Sequence, residues 1–216
     1  MLVTAYSVRM DFVHPVHTVI PGVQGRILAV LAETSGELNL RTIASIANVS
    51  EAQVSRVLPG LVAVGLVERR EAPPSALFRL VREHIAAGPI LALSRTRDRM
   101  IQEMRRIAES LSVPPASVII FGSFARGQAD AESDIDTLLV RPSGVSESDE
   151  AWSATVQQWI DRVSDVSGNR VEVLEVDEDE VPARLDGGRS VWREIERDGL
   201  IIHGATLDSY RSVVRG

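Results

Sequence analysis

Apolar residues recur at helical spacing near the start of the chain. Val23, Ile27, Val30 and Leu31 stand at i, i+4, i+7 and i+8, which lines one face of a helix over residues 23–33. A Ser35-Gly36 turn follows, and Asn39 is placed to cap a second helix running through Ile43, Ile46 and Ala47, which Asn48 ends. Ser50 then caps a third helix. Its Val54, Val57, Leu58 and Leu61 share a face, Glu51, Gln53, Ser55 and Arg56 lie nearer solvent, and Gly65 stops it. The period changes after that glycine: residues 66–69 and 77–81 read as two strands joined around Pro73-Pro74-Ser75.

Farther on, Leu93, Met100, Ile101, Met104 and Ile107 predict one helix over residues 90–111, stopped by Pro114-Pro115. Val118-Ile119-Ile120-Phe121 reads as a buried strand that ends on Gly122. Residues 134–140 predict the next strand, and its alternation puts Asp134 and Asp136 on one face with Ile135 on the other. A helix over 147–163 turns Trp152, Val156, Trp159, Ile160 and Val163 inward. A Ser167-Gly168-Asn169 turn leads from it to a strand over 170–176, where Glu172 and Glu175 fall on opposite faces. A short helix over 190–197, a strand over 200–202 and a polar tail complete the chain. Three helices followed by a hairpin is the order of a winged helix-turn-helix. The expected division is an N-terminal segment 1–20, a winged helix 21–88, a second domain 89–205 and a tail 206–216, giving a two-domain α+β protein.

A chain of 216 residues with 44% hydrophobic content suffices for two small domains. No apolar run approaches the roughly 18 residues a membrane span needs, and Arg9, Asp11 and His14 interrupt what a secretion signal would keep apolar. The expectation is a cytoplasmic protein with no membrane partner. The absence of cysteine rules out disulfides and thiolate metal sites, so any metal must be held by oxygen or imidazole, which favours hard cations. Residues 1–90 hold 8 Arg against 7 acids, while 91–216 hold 15 Arg against 23 acids. Nucleic-acid contact therefore belongs to the first part.

The candidate chemistry lies in Gly122-Ser123-Phe124-Ala125-Arg126-Gly127, followed after six residues by Asp134-Ile135-Asp136. Glycine admits backbone N–H groups to a phosphate, Ser123 adds a hydroxyl, and two carboxylates suit a divalent cation. The stretch GSFARGQADAESDIDTLLV closely resembles the active-site signature of the DNA polymerase beta-like nucleotidyltransferase superfamily, in its minimal nucleotidyltransferase branch. The resemblance extends over residues 94–203 and implies an α/β nucleotidyltransferase fold with a mixed sheet. It also implies Mg2+ or Mn2+ at Asp134 and Asp136, a nucleoside triphosphate substrate with ATP the first candidate, and phosphate contacts from Gly122 and Ser123. A third carboxylate, usually Asp in the family, is expected as metal ligand and base. Glu172 occupies the matching place, one methylene longer, with Glu175 as its rival. Arg126 is open between phosphate binding, pairing with the aspartates and capping the turn. Ser133 is expected to fix the loop.

Residues 50–70 resemble the recognition helix and wing of winged helix-turn-helix proteins of the MarR and ArsR types. That resemblance implies DNA as a partner, with Gln53, Ser55 and Arg56 at base edges and Arg69 and Arg70 at phosphates. Pro59 departs from the pattern, because it withdraws a donor from the Ser55 carbonyl and favours a kink. Protein contact or homodimerisation is the other use of such a domain. The leading expectation is a nucleotidyltransferase that moves a nucleoside monophosphate to a protein or nucleic-acid hydroxyl, fused to a DNA-binding domain. By resemblance to minimal nucleotidyltransferase antitoxins, a HEPN-type toxin is the candidate protein acceptor. The alternatives are a transcriptional regulator that binds nucleotide without turnover and an assembly module.

Overall fold

The computed structural model describes residues 9–213 and separates into two compact units, residues 14–96 and residues 9–13 joined with 97–213. Each has its own core. In the first, α1 (Pro15–Val19) and α2 (Val23–Glu33) lead to a short strand β1 (Leu38–Asn39), then α3 (Leu40–Ile46) and α4 (Glu51–Ala63). Both capping expectations are met: Asn39 accepts from the Thr42 amide at 2.9 Å, and Ser50 accepts from the Gln53 amide at 3.2 Å. Val54, Leu58 and Leu61 are buried, as the stripe on the third helix predicts. α4 continues past Pro59 to Ala63, and Gly65 leaves it at φ +76°.

The wing is β2 (Val67–Ala72) paired antiparallel with β3 (Ser75–Leu80), and β1 joins the far edge of β3. α5 (Ala87–Ser94) closes the unit, burying Ala87 and Ile90 in the same core as Ile27, Leu31, Val54 and Phe78. The single helix expected over 90–111 is two helices, broken at Arg95. Ser94 and Thr96 hydroxyls bond back to the Leu91 and Leu93 carbonyls at 2.9 and 2.6 Å, which offers the backbone an alternative to continuing the helix. The division between units therefore falls at residues 96 and 97 rather than at 88 and 89.

The second unit contains α6 (Thr96–Glu109), β4 (Ser117–Phe121), the single turn α7 (Gly122–Ala125), β5 (Ile135–Arg141), α8 (Glu150–Ser167) and β6 (Val171–Asp177). After a 3-10 turn over Glu178–Glu180 come α9 (Val181–Asp186), α10 (Ser190–Asp198), β7 (Leu200–Gly204) and α11 (Leu207–Val213). The sheet order is β6-β5-β4-β7, with β5 and β6 parallel and the other pairs antiparallel, so the sheet is mixed.

Strand alternation divides the apolar residues of this unit between two faces. Val118, Ile120 and Leu139 pack with Met104, Ile107, Trp152 and Trp159 of α6 and α8. Ile119, Phe121, Leu138 and Val140 pack with Val181, Trp192 and Ile195 of α9 and α10. The expected polar tail is structured in part, since Tyr210 of α11 is buried and its hydroxyl lies 2.7 Å from Ser117 Oγ. The N-terminal segment also divides. Phe12 belongs to the core of the second unit, its ring edge-on to Phe124 at 4.9 Å, whereas α1 belongs to the first unit. Among the described residues, no helix is long and apolar enough to cross a membrane.

Candidate active site

β4 delivers the chain to Gly122, which turns it into α7 at φ +70°, a left-handed value that a side chain tolerates poorly. A Cβ on Gly122 would sit inside van der Waals contact of Asp136 Oδ2 and 3.0 Å from its Cγ. The glycine is there to let the Asp136 carboxylate lie against the backbone of the turn. Arg97 secures the other end of the turn, donating to the carbonyls of Phe124 at 3.1 Å and Ala125 at 2.7 Å with its guanidinium 5.5 Å from the Phe124 ring centroid. After the turn, Ser133 fixes the loop as expected, accepting from the Asp130 amide at 3.1 Å and donating to the Asp130 carboxylate at 2.8 Å.

Asp136 is the second residue of β5 and stands in register with Phe121 on one side and Glu172 on the other. Parallel register partners share a face, so Glu172 lies beside Asp136. Glu175 pairs in register with Leu139, on the opposite face, where it forms an ion pair with the nearly buried Arg141. Of the two candidate glutamates, only Glu172 faces the motif. Burial pushes the Asp136 carboxyl up to about 6, with the negative charges of Glu172, Asp134 and Glu194 adding to it and Arg126 opposing. This half-buried carboxylate sits in a field that a cation would relieve.

Asp134 departs from expectation. It precedes β5 and is not part of the strand, so period-two alternation does not set its direction. Its Oδ1 instead accepts from Arg9 Nη1 at 2.8 Å. Glu172 is more exposed and pairs with Arg170 at 3.0 Å. Arg126 resolves its open alternatives in a fourth way: it pairs with Glu194 and, at 3.6 Å, with Asp198, both on α10, and donates to Gln128 at 3.0 Å. Among the described residues, no three carboxylate or imidazole groups converge closely enough to close a metal cage. The donor chemistry still suits a hard cation, because the ligands on offer are all carboxylate oxygens and Asp136 is destabilised in its charged form.

The family described as the nucleotidyltransferase domain matches residues 101–197, and the MarR family matches residues 20–76. The chain carries a nucleotidyltransferase domain behind a MarR-type domain. Three solved structures are similar. A toxin–antitoxin crystallised with AMP-PNP is 12% identical over 55% of this chain and 83% of its own, with a TM-score of 0.35. A candidate nucleotidyltransferase from Sulfolobus solfataricus is 28% identical over 50% of this chain and 82% of its own, TM-score 0.30. The archaeal chromatin protein TrmBL2 is 15% identical over 82% of this chain and 72% of its own, TM-score 0.27. A comparison with curated protein sequences finds no match.

Sequence reasoning missed four residues that shape the candidate site. Arg9 and Arg97 come from helical or terminal segments with no local motif, Glu194 comes from α10, and Asn169 is a buried residue between α8 and β6. Asn169 accepts from the Met10 amide at 3.1 Å and donates to the carbonyls of Met10 at 3.2 Å and Ser133 at 3.1 Å. It thereby ties the segment carrying Arg9 to the residue before Asp134. No sequence signal links positions so far apart in the chain.

In the MarR-type domain, the expected DNA-facing residues separate. Ser55 and Arg69 line one cleft of about 960 Å3 between α3, α4 and the wing, floored by Leu58 and Phe78. Arg56 is exposed and does not line this cleft. Gln53 spends its side-chain oxygen on the Ser50 amide at 2.9 Å, completing a capping box. Arg69 and Arg70 are adjacent on β2 and so point to opposite faces. Arg69 pairs with Glu71 at 2.8 Å, and Arg70 pairs with Glu37.

Proposed function

We propose that this protein transfers a nucleoside monophosphate from a nucleoside triphosphate, ATP first, to a hydroxyl of a protein or nucleic-acid acceptor, and that its MarR-type domain binds DNA. The observation that carries this reading is the packing of Asp136 against Gly122, with Glu172 beside it in register. Two carboxylates side by side at the mouth of a glycine turn support a site for a triphosphate and its cation. In the reaction, the acceptor oxygen forms a bond to the α-phosphorus, the bond from that phosphorus to the bridging oxygen breaks, and pyrophosphate leaves. Glu172 takes the hydroxyl proton. Asp134 and Asp136, with Glu172, would hold Mg2+ or Mn2+, which when bound supplies charge neutralisation for the triphosphate and lowers the pKa of the hydroxyl. Gly122 and Ser123 orient the phosphates, and Arg126 joins them once it leaves Glu194 and Asp198.

The test is incubation of the full chain with Mg2+ and α-labelled ATP in the presence of candidate acceptors. The candidates are RNA and a HEPN-type toxin, the latter chosen on the antitoxin resemblance of the motif. Label should appear on an acceptor with wild type and not with Asp136→Asn. A second reading, a regulator that binds nucleotide without turnover, is favoured by one observation: Asp134, Glu172 and Arg126 are each engaged in ion pairs. Nucleotide binding that is lost in Asp136→Asn, with no labelled product from any acceptor, is the result that selects it.

A further inference from the structure

Residues 9–13, which precede the first unit in the chain, belong to the second unit. They lie across it as a strap held by three kinds of contact. Phe12 is buried against Phe124, and its amide donates to the Ala129 carbonyl at 2.9 Å. Met10 exchanges two hydrogen bonds with Asn169, whose side chain is itself buried. Arg9 reaches over the end of the loop, donating to Asp134 Oδ1 at 2.8 Å and to the Glu132 carbonyl at 3.4 Å. The strap thus delivers one guanidinium to one of the two motif aspartates, and anchors it on both sides of the aspartate's loop.

We propose that Arg9 is a positioning residue of the metal site, a built-in counter-cation that competes with the divalent ion for Asp134. This rests on the proposed role of Asp134 as a metal ligand. A carboxylate oxygen held by a guanidinium at hydrogen-bond distance has that lone pair and much of its charge already used. A divalent ion that takes Asp134 must displace Arg9 or share the carboxylate with it, at the cost of the ion pair. The pair is partly screened, with about 30% of each side chain exposed, so the competition is modest in size. Anchoring by Phe12 and Asn169 keeps the guanidinium local, which makes its effective concentration at Asp134 high whatever the salt.

The test uses Mn2+ alone with the full chain, with free Mn2+ followed by electron paramagnetic resonance and no nucleotide present. Arg9→Gln should bind Mn2+ about 3- to 10-fold more tightly than wild type, and Arg9→Lys should fall between them. Asp136→Asn separates the two layers of the argument. If that variant binds Mn2+ as well as wild type, the ion is elsewhere, and the reading of the site falls together with this inference. If it binds more weakly while Arg9→Gln equals wild type or is weaker than it, the site stands and the competition is refuted. Should Arg9→Gln fail to fold, amide exchange on wild type decides. Saturating Mn2+ should speed exchange at Met10, whose N–H bond to Asn169 is the nearest lock on the strap, and unchanged exchange refutes the proposal.

Discussion

The Asp136 carboxylate occupies the space that a side chain on Gly122 would need, with Cγ 3.0 Å from the ideal Cβ position. Two independent penalties therefore meet in Gly122→Ala: the left-handed φ of +70° and the overlap with Asp136. The first costs about 1–2 kcal/mol for an L side chain, and the second displaces Asp136 from its turn. Thermal or urea denaturation should show a loss of about 2–4 kcal/mol in total. In an Asp136→Ala background the same substitution should cost less, because the overlapping oxygen is gone while the strained φ remains. Equal costs in both backgrounds would mean that the close approach does not matter.

The raised Asp136 carboxyl sets a pH dependence with a definite sign. In the folded chain it holds its proton up to about 6, whereas in the unfolded chain it releases it near 3.8. Between those values the folded state binds more protons than the unfolded state, so this group's contribution to stability falls as pH rises and is lost above about 6. The stability difference between wild type and Asp136→Asn should therefore shift against wild type from about pH 4 to about pH 6.5, and level off beyond. Mn2+ affinity of wild type should rise across the same interval, since the proton competes for the ligand oxygen. A flat affinity profile through this range would contradict the assignment of Asp136 as a ligand.

Glu172 and Glu175 offer a contrast that separates chemistry from scaffolding. Replacing Glu172 by Gln keeps its shape, removes the proposed base, and should lower turnover about 100-fold or more with stability nearly unchanged. Glu175→Gln should do the reverse. It leaves the nearly buried Arg141, whose Nε has no hydrogen-bond partner among the described residues, with Asp177 as its charged neighbour at 3.1 Å. A loss of about 1–3 kcal/mol in urea denaturation is expected, with turnover within about threefold of wild type. Equal turnover losses in both variants would remove the face argument.

How much of this was legible beforehand follows from the range of the interactions. Local signals carried the winged helix: the caps at Asn39 and Ser50 and the stripe Val54, Leu58 and Leu61 are encoded within one or two turns, and the structure reproduces them. The Gly122 turn was also readable, since glycine freedom is a local rule, and alternation set Glu172 and Glu175 on opposite faces. Which of them stands beside Asp136 is fixed by the register of β5 on β6, which no local rule reports. The partners of Asp134 and Arg126 were not. Arg9 lies 125 residues from Asp134 and Glu194 lies 68 from Arg126, and such pairings are set by tertiary packing that no periodicity reports. The break at Arg95 was hidden for a different reason: the apolar stripe of α5 and α6 continues across it, and the side-chain bonds of Ser94 and Thr96 override that pattern.

Asn169 is the joint between the strap and the loop that carries Asp134. Asn169→Ala removes three part-buried hydrogen bonds and leaves the Met10 amide and the carbonyls of Met10 and Ser133 to find other partners. A loss of about 2–4 kcal/mol is expected, along with faster amide exchange at Met10. Asn169→Asp keeps the acceptor for Met10 but turns a carboxylate oxygen toward two carbonyls. It should be more damaging near neutral pH than in mild acid, where protonation restores one donor. Stability that does not respond to pH in the Asp variant would show that the two carbonyls are not held by this side chain.

The wing arginines give a test of how the MarR-type domain meets DNA. Arg69 shares a cleft with Ser55 of α4, whereas Arg70 lies on the opposite face of β2 and is paired with Glu37. A duplex laid against α4 can reach the first face of the wing more readily than both, so the two residues should not behave alike. In anisotropy titrations with a fragment of its own promoter, Arg69→Ala should weaken binding about 3- to 10-fold and reduce the slope of log affinity against log salt by about one, the signature of one lost phosphate contact. Arg70→Ala should leave affinity and slope near wild type. Its cost should appear instead as a small loss of stability from the exposed, solvent-screened pair with Glu37. If Arg70→Ala lowers the salt slope as much as Arg69→Ala does, DNA wraps both faces of the wing and Ser55 loses its privileged place beside the reading surface.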